Sequence, residues 1–101
     1  MTIKQPFYPQ YGSNQVLTAA AASASAVINP DCKQVRVVNT GANKGYFRTY
    51  NSANGVQSAT TADFPVPAGL AATVSKNADH NAIAYISAAG TTLEAMTGEG
   101  F

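Results

Sequence analysis

Hydrophobic and polar positions alternate in short runs along most of this chain. In Leu70-Ala71-Ala72-Thr73-Val74-Ser75-Lys76, Leu70, Ala72 and Val74 fall on one face. That period of two is the mark of a half-buried strand. Lys33–Asn39 and Tyr46–Tyr50 show partial alternation with β-branched and aromatic enrichment, and both read as strands. Ala82–Ala88 is apolar on both faces, with Ser87 the one polar position, which suits a central strand covered on both faces. Thr91–Thr97 closes the series. Val56–Ala59 reads as one further short strand. Phe64–Gly69 carries Pro65 and Pro67 and so fits only an edge strand or a loop.

The Ala-rich stretch Val16–Ile28 sets two signals against each other. Alanine favours helix. Ser23 and Ser25 compete for backbone hydrogen bonds, no amphipathic stripe is present, and Asn29-Pro30-Asp31 ends the run as a turn. Two short strands, near 15–19 and 23–28, are expected, with a single helix as the alternative. Turn signals separate all these runs, including Asn39–Gly45, Asn51–Gly55, Lys76–Asn81 and Ala89-Gly90. The expected fold is therefore all-β. It is a single antiparallel β-sandwich or jelly-roll-like barrel of about seven to eight short strands. Residues 15–101 form that domain. Residues 1–14, broken by Pro6, Pro9 and Gly12, form an extended N-terminal arm carrying Phe7, Tyr8 and Tyr11. The Gly98–Phe101 segment reads as a short tail.

Composition narrows function more than fold. The 101 residues carry a net charge of +1, and 11% are charged. That balance gives little attraction for phosphate, so a direct nucleic-acid partner is not expected. No apolar run reaches membrane-spanning length, and Gln5–Tyr11 replaces the apolar core of a signal peptide. One cysteine, Cys32, excludes an internal disulfide framework. One histidine, His80, lies in a polar loop and reads as solvated. Catalytic, cofactor and metal sites are all expected to be absent, because the acid/base and ligand inventory is too small. Many inward positions are Ala or Thr, so a thin core is expected, one that oligomerisation or docking on a larger assembly would supplement.

One feature has recognition chemistry. Alternation puts Tyr46, Arg48 and Tyr50 on one face of a strand, with Phe47 turned to the core. Tyr and Arg are enriched at protein interfaces. The plainer reading is cross-strand packing with Arg48 over a tyrosine ring.

Three segments together resemble a family of small tailed-bacteriophage head proteins of the cement or decoration type. They are Gln34–Gly41 with its Asn39-Thr40-Gly41 ending, Thr61–Gly69 with Asp63-Phe64-Pro65-Val66-Pro67-Ala68-Gly69, and Ala88–Thr92. The terminal Gly98-Glu99-Gly100-Phe101 fits the pattern, and the arm lies outside it. The resemblance implies a β-sandwich or jelly-roll protein of the capsid exterior, made in the host cytoplasm. Its implied role is to bind major capsid subunits and stabilise the head, as a homo-oligomer (dimer or trimer), with no enzymatic activity and no cofactor. Interface residues expected on this reading are Ile3, Phe7, Tyr8, Tyr11, Tyr46, Arg48, Tyr50 and Phe101. Alternatives are a head-to-tail connector, a tail or fibre-associated virion protein, and a carbohydrate-binding module.

Overall fold

The computed structural model describes residues 8–9, 11–77 and 79–99. It is an all-β sandwich of two antiparallel sheets. The first sheet contains β2 (Gln15–Ala19), β4 (Gln34–Asn39), β7 (Ala71–Ser75) and β9 (Thr91–Glu99), with the two-residue β1 (Tyr8–Pro9) at one end. Its order is β2-β9-β4-β7, and β1 continues the β2 edge along β9. The second sheet contains β3 (Ala24–Val27), β5 (Gly45–Tyr50), β6 (Phe64–Val66) and β8 (Ala82–Ile86), in the order β3-β8-β5-β6.

The pairings are concentric. β5 pairs with β6, β4 with β7, β3 with β8 and β2 with β9. The chain is thus one long antiparallel hairpin, rolled so that successive pairs fall in alternate sheets. The β4–β9 and β5–β8 pairings then complete each sheet. This is jelly-roll topology, two interlocked Greek keys.

Residues 16–28 form β2, a turn and β3, and no helix. Leu17 and Ala19 face inward while Val16 and Thr18 face outward, so period two overrides the helical preference of alanine. β6 is an edge strand, as its two prolines require. Two expectations are corrected. Val56–Ala59 is not a strand; it belongs to a loop that crosses the outer face of the second sheet. The closing strand extends to Glu99, because Gly98 and Glu99 pair with Pro9 and Tyr8.

The core is less alanine-rich than the composition suggests. Leu17, Ile28, Val35, Val37, Phe47, Val66, Ile83, Tyr85 and Leu93 fill the space between the sheets, with Ala19 and Ala95 the only alanines among its buried residues. Burying a side chain of this size contributes about 1.5–3 kcal/mol. Other alanines serve a second cluster, Tyr50, Ala59, Ala82 and Ala84, on the outer face of the second sheet. There Ala59 of the loop packs with Tyr50 and with the small side chains of Ala82 and Ala84.

Candidate functional site

The Tyr46/Arg48/Tyr50 set lies on one sheet face, as alternation requires, but its own chain covers much of that face. Tyr50 is 3% exposed, packed with Ala59 from the crossing loop. The loop is fastened at its middle. The Ala59 N–H donates to Ser23 Oγ at 2.8 Å, and the Thr60 N–H donates to Asp63 Oδ2 at 2.8 Å. Arg48 reaches over the loop, donating from Nε to Asp63 Oδ1 at 3.1 Å and from Nη1 to Gln57 Oε1 at 3.3 Å. Arg48 does not lie over a tyrosine. The cation near Tyr46 is Lys44, 5.7 Å from the ring centroid. As an open stacking surface the set is therefore reduced to the half-buried Tyr46. Arg48 and Tyr50 hold the loop.

The arm root has a different character. Tyr8 and Pro9 pair through the backbone with Glu99 and Gly98. β2 reaches only as far as Ala95 on the same side of β9, leaving Thr97 between the two strands. Ser13 fills that gap with its side chain: the Thr97 N–H donates to Ser13 Oγ at 3.2 Å, and that hydroxyl donates back to the Thr97 carbonyl at 3.5 Å. Asn14 Nδ2 adds a bond to Glu94 Oε1 at 2.9 Å. Between these anchors Tyr11 stands 83% exposed. Ile3, Phe7 and Phe101 lie outside the described residues.

Next to Tyr11 a shallow cleft of about 380 Å³ opens between the β2 and β3 edges, with Gln15, Val27, Ile28, Pro30 and Thr97 among its lining residues. No lining residue is ionisable. Gln15 spans the two sheets, its Nε2 donating to the Val27 carbonyl. The Val27 side chain is 75% exposed, and Val16 on the neighbouring strand is also exposed. An uncharged cleft lined by the exposed Val27 and by Gly12, the residue that follows the exposed Tyr11, suits a protein surface. Sequence reading missed Val16 and Val27. The available signal was a β-branched residue at an outward position of an edge strand.

His80 is half-buried rather than solvated. Its Nδ1 lies 2.8 Å from Thr49 Oγ1 and its Nε2 3.4 Å from Asn77 Nδ2. The buried Lys76 donates from Nζ to the carbonyls of Pro30, Asn77 and His80 at 3.3, 3.4 and 2.9 Å. These groups tie the β7–β8 loop to the β3–β4 loop. Among the described residues, no three His, Cys, Asp or Glu side chains gather as metal ligands would. No described helix is long and apolar enough to cross a membrane.

No protein-family model matches this chain, and no curated protein matches it. Solved structures similar in shape include the following two. A crystal structure of PirA aligns with a TM-score of 0.57 at 10% identity, over 88% of this chain and 95% of that one. A structure described as Bacillus endospore appendages, a family of disulfide-linked pili, aligns with a TM-score of 0.48 at 18% identity, over 97% of this chain and 92% of that one. The chain therefore shares a β-sandwich fold with PirA, and the likeness extends to the fold alone.

Proposed function

We propose that this chain is a non-enzymatic structural protein of a tailed-phage head, a cement protein that binds major capsid subunits at the arm root and the β2/β3 edge. The observation that carries the docking reading is the uncharged cleft between Gln15, Val27 and Pro30, with Tyr11 exposed beside it. An exposed tyrosine one residue from an uncharged groove is of the residue type that interface hot spots favour. The virion assignment itself rests on the sequence resemblance carried by Asn39-Thr40-Gly41, Asp63–Gly69 and Ala88–Thr92. Modest contacts of this kind suffice where many symmetry-related sites act together. The sugar-binding alternative is disfavoured, because Ala59 covers Tyr50 and Arg48 is held by Asp63 and Gln57, leaving Tyr46 alone as a stacking surface.

The test is an add-back experiment on heads lacking the protein. Tyr11→Ser and Val27→Lys alter exposed side chains and leave the core intact. Removing a hot-spot tyrosine costs about 2 kcal/mol, roughly a thirtyfold loss of affinity. Occupancy equal to wild type for both variants would overturn the assignment of this edge.

A further inference from the structure

We infer that β7 is a self-pairing edge, through which two copies of this chain join antiparallel about a two-fold axis at Thr73. β7 pairs with β4 on one side, and no described strand pairs with the other. The direction of its backbone groups follows from its ends. The Leu70 carbonyl accepts from the Asn39 N–H at 2.9 Å, and the Lys76 N–H donates to the Lys33 carbonyl at 2.8 Å. Even-numbered residues therefore turn toward β4. Ala71, Thr73 and Ser75 turn their N–H and C=O groups outward, and all three residues are exposed. An open row of this kind is a template for another strand.

The usual defences of an edge are missing here. Residues 71–75 include no charge and no proline. The adjacent Lys76, placed where a charged guard would stand, instead turns its ammonium inward to the carbonyls of Pro30 and His80. Exposed apolar side chains flank the strand. Leu70 precedes it, and Phe64, 47% exposed, shares a cleft with Val74 and Ser75.

The outward set points to a second copy as the occupant. Because it is centred on Thr73, a two-fold there sets Thr73 opposite Thr73, and Ala71 opposite Ser75, in hydrogen-bonded register. Every outward donor then meets an outward acceptor with no change of register. On the inner face Ala72 meets Val74 of the second copy, continuing the apolar side of the sheet toward the exposed Phe64. Arg36 is the charge opposite Thr73 on β4, while Arg48 and Asp63, which line the cleft beside Val74 and Ser75, are paired with each other. The symmetry mate of Arg36 lies three strand spacings away, roughly 14 Å, beyond the screening length at physiological salt. Such a pairing is isologous and closes at two copies.

Sedimentation equilibrium of the full chain reads this directly. The expected mass is twice the 10.4 kDa of one chain at micromolar concentration. Thr73→Lys places like charges opposite each other at the axis, and Thr73→Pro removes an outward N–H while sparing the β4 ladder. Both variants are expected to be monomeric with an unchanged circular dichroism spectrum. Thr73→Cys in a Cys32→Ala background is expected to oxidise to a covalent dimer, since opposed Cα atoms at about 5.5 Å suit a disulfide. A wild-type monomer at every concentration would overturn the inference. So would a dimer that survives all three substitutions without cross-linking, or larger assemblies abolished by Val27→Pro and not by Thr73→Pro, which would place the partner on the β3 edge.

Discussion

Asn39 is buried, and its side chain makes four hydrogen bonds. Its Nδ2 donates to the carbonyls of Asn43 and Val66 at 2.7 and 2.9 Å, and its Oδ1 accepts from the Gly41 N–H at 3.0 Å and Thr91 Oγ1 at 2.8 Å. One side chain thus joins the end of β4, the β4–β5 turn, β6 and the start of β9. Asn39→Ala strands two carbonyls, a hydroxyl and an amide, and should lower unfolding free energy by about 3 kcal/mol in urea denaturation. Asn39→Asp keeps the shape but sets carboxylate oxygens against two carbonyl oxygens, and should be at least as damaging. Gly41 stands where a Cβ would meet Thr91 Oγ1 at 2.0 Å and the Thr92 backbone nitrogen at 2.7 Å. Gly41→Ala should therefore cost about 1–3 kcal/mol in the same measurement. In sequence, Asn39-Thr40-Gly41 reads only as a turn. A buried and fully bonded asparagine has the same local signature as a solvated one, and only tertiary structure separates them.

β8 shows how far pattern carries at the scale of an element. Its uniform apolarity marks a central strand, and Ile83 and Tyr85 do face the core. The reason that Ala82 and Ala84 are apolar as well is a loop, not a second sheet. The loop was legible as a break between strands, yet nothing in Val56–Ala59 shows which face it crosses. The same limit explains the Tyr46, Arg48 and Tyr50 reading. Alternation gives their common face correctly and leaves its cover unseen. Strands with turn chemistry at both ends, β4, β5 and β7, were legible within a residue or two, since a half-buried strand needs only period two, whereas β2 runs into the Ala-rich stretch for which a helix stood as the alternative. Asp63 binds both Arg48 and the Thr60 amide, so Asp63→Ala should release the loop. Arg48→Ala, which breaks a partly exposed pair, should cost about 0.5–1 kcal/mol. Hydrogen exchange at the Ala59 and Thr60 amides should rise strongly in the first variant and weakly in the second.

In the whole molecule, the arm root and the β7 edge occupy opposite margins of the first sheet, since β2 and β7 are its outer strands. A dimer joined at β7 would therefore carry one arm root at each far end. That arrangement suits bridging two capsid subunits. Deleting residues 1–14 would also remove β1 and the Ser13 hydroxyl, baring β9 at Thr97–Glu99. Such a truncation mixes loss of fold with loss of binding, which is why Tyr11 and Val27 are the sharper probes. Sequence pattern reached the fold class; it did not show that Tyr8 and Pro9 pair with the end of β9 as part of the first sheet. It did not reach the β2/β3 cleft, which forms between two strands that pair with other partners in different sheets. The most direct measurement is imaging of intact virions at a resolution that locates and counts this chain. The expected result is many symmetry-related copies on the outside of the head, each with Tyr11 and Val27 against a major capsid subunit. Copies confined to the neck or tail, or none on the particle, would contradict a cement role.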